Sequence, residues 1–423
     1  MRLFIIFLAI VTFASATPRI LEGESSPPTS LFAATTPVQT ELPSNLPATK
    51  DEWLQHIRSA KTSLDLAFFY ASDCGPDGDI DPETPTALTE VIASLITAAK
   101  DRVAIRMIAD SGFERTYPAL LARLQSTEGV EVRTLNMKAL AGGVMHAKYM
   151  IADRKSFYAG SANFDWRSLE HIQELGLSVV IESVGIAMTD VFEMDWYLSG
   201  GGERGSCPEP KGSWPLVGNT TLYIPAGSTT GETIVVTPVF SPKDLLPHQD
   251  SWDLPHILAR IDGAQERLWI QVMTFRMNGW NGEEFTALQA AILGAAERGV
   301  DVRILVADWG KRKGTIEGLQ KLSARDDIQV RMITVPEHTT GHIPFGRVIH
   351  AKYMVVDSDK AWVGSSNWEK NYFYESRNVG FLLDGASAVR TLADFYTANW
   401  TSPYSYVVDP EATYVVPAFG ERD

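Results

Sequence analysis

The chain has 423 residues, with 37 Lys and Arg against 52 Asp and Glu, which gives a formal net charge of −15. Hydrophobic residues make up 45% and charged residues 21%, values that exclude a mainly disordered or fibrous chain and suit two domains of ordinary size. The acidic balance argues against a protein that grips nucleic acid by its overall charge at neutral pH.

The N-terminus has the pattern of a secretory signal peptide. Met1-Arg2 precedes an apolar run from Leu3 to Phe13, and Ala14-Ser15-Ala16 forms a small-residue cleavage site. The run is about half as long as the roughly 20 residues that cross a bilayer, so residues 1–16 are predicted to be a cleaved signal and not a membrane anchor. Residues 17–50 are rich in Pro, Ser and Thr, and we predict a flexible lead-in.

Two further features agree with a secretory route. Asn219 and Asn399 each begin an N-glycosylation sequon. Cys74 and Cys207 are the two cysteines of the chain, and in an oxidising compartment they could form a disulfide or stay as two unrelated thiols. We therefore expect a mature protein without a membrane span that is lysosomal or secreted.

The chain contains an internal duplication. The run from Val144 to Met150 recurs from Val348 to Met354, with a shift of 204 residues between His146 and His350. A repeat of this length is too long for a solenoid unit and predicts two homologous domains. We place them at residues 51–210 and 219–423, with the boundary in the Gly-, Pro- and Ser-rich stretch 200–218.

Each half shows the same order of predicted elements, in which helices alternate with short Val- and Ile-rich strands. In the first half these are a helix at 51–60, a strand at 63–70, a helix at 86–100 and strands at 103–109, 130–135 and 146–152. In the second half they are a helix at 254–264, a strand at 267–275, a helix at 284–298 and strands at 302–307, 328–334 and 350–356. This alternation predicts α/β domains with helices packed on mixed sheets.

The polar motif H-x-K-x4-D-x6-G-S-x-N occurs twice with identical spacing. Because residues two apart on a strand point to the same face, the His and Lys of each copy are predicted to project together. The motif residues are His146, Lys148, Asp153, Ser161 and Asn163 in the first copy, and His350, Lys352, Asp357, Ser365 and Asn367 in the second.

This combination suits chemistry on a phosphodiester. Lys and Asn can hold phosphoryl oxygens and stabilise charge in the transition state. One imidazole can attack phosphorus while the other protonates the leaving oxygen. A lone His on a strand is usually a packing residue, but two matched copies make that interpretation a poor one. A metal site also fits poorly, because Lys is not a usual ligand and further Cys or paired carboxylates are missing from the motif.

The duplicated motif resembles that of the phospholipase D superfamily. The flanking run from Gly160 to Leu169, and the run from Ile343 to Val348, are similar to those of its animal endolysosomal branch, phospholipase D family members three and four. The resemblance covers roughly residues 54–406. It implies two α/β/α domains related by a pseudo-twofold axis, with one active site at their interface.

The resemblance also implies roles for individual residues. His146 and His350 would meet across one phosphate and form a phosphohistidine intermediate without a cofactor, and either could be the nucleophile. Lys148, Lys352, Asn163 and Asn367 would bind the phosphate oxygens. Asp153 and Asp357, which we group with the catalytic motif, would serve its architecture or orient a His. Glu174 and Asn378 occupy equivalent positions, and this difference could bias the roles of the two imidazoles. Ser161 and Ser365 would support the site.

The branch implies a 5′-exonuclease that acts on single-stranded DNA and RNA in acidic organelles and releases nucleoside 3′-phosphates. A phospholipase D or transphosphatidylase acting on phospholipid is the alternative, and an inactive binding protein is a further one. A homodimer is possible. Relatives in this branch are usually membrane-anchored precursors, whereas this chain is predicted to have a cleavable signal. Some relatives carry Glu in place of Asp357.

The charge also bears on how a substrate would bind. Protonation of all eight His in an acidic lumen would bring the formal charge from −15 to −7. We therefore expect weaker substrate binding at neutral pH and a narrow positive site in place of a broad basic groove. The residues expected at that site are Lys138, His146, Lys148, Arg347, His350, Lys352 and Arg377.

Five aromatic residues follow the motif asparagines. If exposed they could stack nucleobases, and if buried they are core residues, which we expect for at least three of the five. They are Phe164, Trp166, Trp368, Tyr372 and Phe373.

Overall fold

The computed structural model describes residues 31–42, 45–73, 85–214, 221–224, 232–277 and 284–420. The predicted signal peptide, Cys74 of the possible disulfide and the sequon residue Asn219 lie outside these ranges. Within the ranges, no helix is both long enough and apolar enough to cross a membrane.

The first half builds a mixed sheet flanked by helices. In the sheet, β2, β4 and β5 run parallel, while β6, β7 and β9 continue from β2 as antiparallel neighbours. The elements are β1 (Phe32–Thr35), α1 (Thr49–Ser59), β2 (Ser63–Ala67), β3 (Ala71–Ser72), α2 (Ala87–Lys100), β4 (Ala104–Asp110), α3 (Pro118–Gln125), β5 (Val130–Leu135), α4 (Met137–Ala141), β6 (Tyr149–Ala152), β7 (Ser156–Gly160), β8 (Phe164–Asp165), α5 (Trp166–Glu170), β9 (Ile172–Val180) and α6 (Glu182–Ser199).

The second half repeats this plan. Strands β12, β13 and β14 run parallel, and β16, β17, β18 and β11 follow as antiparallel neighbours. The predicted class of two α/β domains with mixed sheets is confirmed. The elements are β10 (Thr221–Ile224), β11 (Glu232–Ser241), α7 (Asp253–Asp262), β12 (Arg267–Val272), α8 (Ala287–Glu297), β13 (Asp301–Ala307), α9 (Ile316–Ser323), β14 (Ile328–Ile333), β15 (Val348–Ile349), β16 (Tyr353–Val356), β17 (Lys360–Gly364), α10 (Lys370–Tyr374), β18 (Asn378–Asp384), α11 (Ala386–Trp400) and β19 (Ser405–Val407).

Helix α2 shows how local sequence sets an element. A capping box joins Thr86 and Thr89 at its start, which satisfies backbone N–H groups that the first turn leaves unpaired. Leu88, Val91 and Leu95 lie three to four residues apart and are buried on one face. Capping and periodicity agree here, so the predicted and observed helices differ by only one residue.

Two predictions about local structure are wrong. Residues 17–50 are not a flexible lead-in throughout, because β1 is buried and pairs antiparallel with β9, with Phe32 opposite Leu177. The motif strands are also shorter than predicted. They begin at Tyr149 and Tyr353, so the motif His and Lys precede the strands. The backbone N–H of each motif His pairs with the other half and not with a neighbouring strand of its own sheet.

The two halves exchange backbone pairing in a reciprocal way. Strand β15, just before His350, pairs in parallel with β9 of the first half. In the equivalent place Met145, just before His146, forms a parallel bridge with Arg377 of the second half. Each motif histidine is therefore held against a strand end of the opposite half.

Buried side chains reinforce this junction. The rings of Phe157 and Phe381 stack across the halves with centroids 5.3 Å apart. Beside them, Gln173 Nε2 donates to Asn399 Oδ1 at 2.8 Å, and Asn399 Nδ2 donates to Gln271 Oε1 at 3.0 Å. The predicted glycosylation of Asn399 is wrong for this reason, because its amide is fully buried and engaged between the halves.

An ion pair between the halves is also fully buried. Arg377 Nη2 donates to Asp195 Oδ1 at 2.7 Å, and both side chains are 0% exposed. The Arg377 guanidinium also donates to the carbonyls of Ser241 and Leu245 at 2.9 and 2.6 Å. The guanidinium thus ties α6 of the first half to the segment that leads into β18.

Replacing Asp195 by Ala should lower the free energy of unfolding by about 3–5 kcal/mol, because it leaves a guanidinium buried without its counter-charge. Urea unfolding followed by tryptophan fluorescence measures this loss. Asp327→Ala removes a carboxylate that pairs with Arg325 at the exposed surface, and it should leave the unfolding midpoint nearly unchanged. A loss for Asp195→Ala no larger than for this control would contradict the assignment.

Candidate active site

A cavity of about 520 Å³ lies between the two halves. Both motif histidines and both motif asparagines line it, so the structure brings the two copies of the motif together at one place. The other lining residues are Phe69, Tyr70, Phe113, Thr116, Tyr117, Ile172, Met273, Thr274, Trp309, Arg312, Phe345, Val348, Glu369 and Tyr372.

Each histidine is oriented by a side chain of the opposite half. His350 Nδ1 lies 2.9 and 3.0 Å from the carboxylate oxygens of Glu174, on β9. His146 Nδ1 lies 3.0 Å from Asn378 Oδ1, on β18. With Nδ1 engaged in both rings, Nε2 is the nitrogen available to a substrate. The difference between Glu174 and Asn378 noted in the sequence is thus a difference between the partners of the two imidazoles.

The motif serines hold these partners in place. Ser161 Oγ donates to Glu174 Oε2 at 2.5 Å, and Ser365 Oγ donates to Asn378 Oδ1 at 3.0 Å. Each serine oxygen also accepts the backbone N–H of the following strand residue, Leu175 or Val379. Both serines are fully buried, so they position the groups that contact the imidazoles.

The two motif lysines are buried behind the histidines. Lys148 Nζ donates to the His146 carbonyl at 2.6 Å, and Lys352 Nζ donates to the His350 carbonyl. Burial lowers the pKa of Lys352 to about 7, although the charge of Glu174 acts in the opposite direction. Burial and the charge of Lys352 hold the pKa of Lys148 well below its usual value.

The two motif histidines have lower pKa values than the expected protonation in an acidic lumen requires. Burial lowers the pKa of His350 to about 4, despite the opposing effect of Glu174. Burial and the charges of Lys148 and Lys352 hold the pKa of His146 well below its usual value. The expectation that all eight His protonate in an acidic lumen is therefore wrong. Lys352 is the group of the site that gains its proton near neutral pH.

Glu174 stays a carboxylate in this setting. Burial alone raises its pKa, but the interaction with His350, the charge of Lys352 and the Ser161 hydroxyl outweigh burial and leave that pKa below its usual value. His350 is thus paired with an anion, whereas His146 is paired with a neutral amide.

The asparagines face the cavity with spare hydrogen-bonding capacity. Asn163 Nδ2 lies 3.4 Å from the Tyr70 hydroxyl. The Oδ1 atoms of Asn163 and Asn367 are buried and have no hydrogen-bond partner among the described residues. Because the two ends of an amide are exchanged by a rotation, either end can turn to a ligand in the cavity.

Asp153 and Asp357 contact backbone and not the motif histidines. The Asp153 carboxylate accepts the backbone N–H groups of Lys61, Thr62 and Ser63, and Asp357 accepts those of residues 265–267. Both aspartates have positive φ, near 50°. Of the two roles considered from sequence, their contacts match support of the turn after the motif strand.

The expected positive site is smaller than predicted. Arg377 is fully buried in its ion pair with Asp195. The Arg347 guanidinium donates to the carbonyls of Val38 and Pro336 at 2.7 Å, and Lys138 is exposed on α4. Arg312, which was not predicted from the sequence, lines the cavity.

The prediction for the five aromatic residues that follow the motif asparagines is confirmed for the buried ones, but other aromatic residues of the cavity were not predicted. Phe164, Trp368 and Phe373 are core residues with 0% exposure, as expected for three of the five, and Tyr372 lines the cavity. Phe69, Tyr70, Phe113 and Tyr117 also line the cavity and were not predicted from the sequence. These residues and Arg312 follow the carboxyl ends of parallel strands β2, β4 and β13. Ligands in α/β sheets commonly bind at that edge, so this position was the signal that could have found them.

No group of three or more His, Cys, Asp or Glu comes together as a candidate metal site within the described ranges. The charged residues that line the cavity are Arg312 and Glu369, and Lys148, Lys352 and Glu174 are buried next to the motif histidines.

Comparisons with known proteins agree with this geometry. A family model described as cardiolipin synthase, PLD-like domain, matches residues 53–196 and 257–400. The human 5′-3′ exonuclease PLD3 is 31% identical over 392 residues, which cover 87% of this chain and 78% of that protein. Phospholipase D Z of Dictyostelium discoideum is 30% identical over 404 residues, covering 90% and 91%.

Solved structures extend the likeness in fold. The crystal structure of phosphatidylserine synthase from Haemophilus influenzae aligns with a TM-score of 0.59 and 12% identity, over 85% of each chain. The two family-model matches cover one half of the chain each and include both copies of the motif. The chain therefore belongs to the phospholipase D superfamily, in the branch that includes the 5′-3′ exonucleases PLD3 and PLD4.

Proposed function

We propose that the protein is a phosphodiesterase that works from the 5′ end of single-stranded DNA and RNA and releases nucleoside 3′-phosphates through a phosphohistidine. The observation that carries the proposal is the pair of imidazoles that line one cavity, each fixed at Nδ1 by the opposite half. The similarity to proteins named 5′-3′ exonucleases supports the direction and the substrate.

His350 is the nucleophile in this proposal. Its Nδ1 proton is donated to Glu174, which leaves the lone pair of Nε2 free to attack phosphorus. As the N–P bond forms, positive charge develops on the ring, and the adjacent carboxylate stabilises it. Asn378 is neutral and offers His146 no such stabilisation, so His146 is the better proton donor.

In the first step the His350 Nε2–P bond forms and the bond from phosphorus to the 5′ oxygen of the remaining strand breaks. Protonated His146 gives its proton to that oxygen. The phosphodiester is an anion, so its binding beside Lys148 and Lys352 offsets their effect on His146 and raises the pKa of this imidazole. The lysines and the two asparagines stabilise the charge on the phosphoryl oxygens.

In the second step water replaces His350. His146, now neutral, takes a proton from the water, whose oxygen attacks phosphorus while the N–P bond breaks. The product is a nucleoside 3′-phosphate, and His146 regains the proton needed for the next cycle.

A second candidate function uses the same chemistry on phospholipid. The observation that favours it is the 30% identity to a protein named phospholipase D Z. The two functions differ in the groups that flank the scissile phosphate, so they are distinguished by measuring which substrate the protein cleaves.

We further propose that the enzyme works in the lysosome or outside the cell. The signal-like N-terminus supports this location. An acidic lumen would keep Lys352 protonated, since burial lowers its pKa to about 7.

Purified protein in EDTA at about pH 5, where Lys352 is charged, should release mononucleotides stepwise from an oligonucleotide with a 5′-hydroxyl. A strand with a 5′-phosphate and phosphatidylcholine serve as parallel substrates, and products are measured by mass spectrometry. His350→Ala provides the inactive control. Turnover of phosphatidylcholine alone would replace the proposed function by the lipid alternative.

The roles of the two histidines can be separated with thymidine 3′-(4-nitrophenyl phosphate). Nitrophenolate leaves without a proton, but hydrolysis of the intermediate still needs His146. His146→Ala should therefore release about one nitrophenolate per protein molecule and then stall, with the phosphoryl group on His350. His350→Ala should give no burst. A burst in His350→Ala would reverse the roles, and sustained turnover in either variant would exclude the two-histidine mechanism.

Sulfate binding should report the charge of Lys352. Sulfate stays a dianion over this range, so its affinity should rise about tenfold from about pH 8 to about pH 6 as Lys352 gains a proton. Titration calorimetry measures the affinity. Lys352→Met should abolish the pH dependence, and Lys138→Met, an exposed lysine on α4, should retain it. A pH dependence that persists in Lys352→Met would contradict the prediction.

A further inference from the structure

The two halves supply different walls to a cavity whose catalytic groups are nearly symmetric. With the shift of 204 residues that relates the motifs, Phe69 and Tyr70 of the first half correspond to Met273 and Thr274 of the second. All four line the cavity. The duplication has therefore kept the histidines and asparagines while the side chains next to them diverged.

The wall from the first half is a cluster of four aromatic rings, Phe69, Tyr70, Phe113 and Tyr117, which we call the aromatic wall. Phe113 and Tyr117 lie nearly parallel, at 5°, and Tyr70 stacks on Tyr117 with centroids 4.9 Å apart. Phe69 contacts Phe113 edge-on at 4.5 Å. Phe69, Tyr70 and Phe113 are only partly buried, so their rings are accessible from the cavity that they line.

A buried ion pair fixes this wall from behind. Arg167 and Asp165 form charge-assisted hydrogen bonds of 2.5 to 3.0 Å, and both are nearly unexposed. Arg167 Nη2 also donates to the Tyr117 hydroxyl at 3.3 Å, and its Nη1 donates to the Pro344 carbonyl of the second half at 3.0 Å. Rings held this way are pre-organised, so a ligand that stacks on them loses less free energy in ordering the site.

The aromatic wall lies next to the reacting atoms. The Phe69 ring centroid is 5.1 Å from that of His146, and Lys148 Nζ is 5.1 Å from the Phe69 centroid. The second half contributes a mixed lining, in which the polar and charged residues Thr274, Glu369 and Arg312 stand among Met273, Trp309, Phe345 and Tyr372. A ligand that fits therefore has a flat apolar part next to the phosphate, where it can reach the aromatic wall beside His146.

We propose that the aromatic wall is a stacking subsite for a nucleobase that flanks the scissile phosphate; this rests on the proposed function. Every base has a π-face, so such a subsite accepts purines and pyrimidines alike, in DNA and in RNA. An acyl chain would gain contact area but would make no use of the stacked ring geometry. The subsite thus explains how one narrow cavity can select nucleic acid without reading its sequence.

The test compares intact strands with strands that carry a single abasic residue at the first or second nucleotide. One of the two abasic strands lacks the base that stacks on the aromatic wall. The wild-type protein should cleave that strand with a kcat/KM about 10- to 100-fold lower than for the intact strand, the range expected when one base–aromatic stack is lost. Phe113→Leu, which keeps the bulk but removes the ring, should shrink that ratio to within about threefold. Phe113→Trp should restore it.

Because the readout is a ratio of two substrates on one protein, a general loss of activity or folding cancels. Tyr374→Leu is the matched control, since Tyr374 is 45% exposed and is not among the residues that line the cavity; this variant should keep the wild-type ratio. A wild-type ratio near one, or an undiminished ratio in Phe113→Leu, would overturn the proposal. Turnover of phosphatidylcholine that falls in Phe113→Leu would also overturn it, by assigning the wall to an acyl chain. Failure of the proposed function would show separately, as intact strands left uncut by the wild-type protein.

Discussion

The structure depends on the reciprocal backbone pairing between each motif segment and the strand end of the opposite half. The N–H of His350 donates to the Gln173 carbonyl at 2.8 Å, and the N–H of His146 donates to the Arg377 carbonyl at 2.8 Å. Because Glu174 and Asn378 are the next residues along these strands, the same pairing brings each of them to an imidazole of the other half. Neither half alone can orient its own histidine, and the active site exists only where the two sheets meet.

This junction holds charge in a place that water does not reach. Lys148 and Lys352 are completely buried, and removing an ammonium from water is costly unless its donors are satisfied. Backbone carbonyls and Glu174 satisfy these donors in part. The pKa values of both lysines are still lowered, which shows that the contacts do not fully offset the cost of burying the ammonium groups. An arriving phosphodiester supplies the missing negative charge. The site is thus electrostatically incomplete without its substrate, which favours binding of an anion to this cavity over the rest of an acidic surface.

The sequence predicted what depends on local pattern and repetition. The duplication identified His146, His350 and their Lys and Asn neighbours, and periodicity located elements such as α2 and β5. It failed where long-range packing decides. Strand β1 forms because β9 offers an edge, despite a composition typical of a flexible segment. Arg377 and Asn399 look like a surface cation and a glycosylation site, yet both are buried where the halves meet. The aromatic wall was not predicted from the sequence, because its residues come from separate segments of the chain and belong to no motif.

The crossed partnership between strands and histidines constrains how the protein can evolve. A substitution at position 174 changes the imidazole of the second half, and one at position 378 changes that of the first. After a duplication, the two copies usually accumulate substitutions independently. Here the histidine of each half contacts a residue of the other half, so the two copies cannot change independently at these positions. Selection therefore acts on pairs of positions such as 174 and 350, and the histidines can specialise only through changes in the opposite half. Single-half fragments, or chimaeras that join halves of distant relatives, should keep the motif residues but lose the matched partner of each histidine.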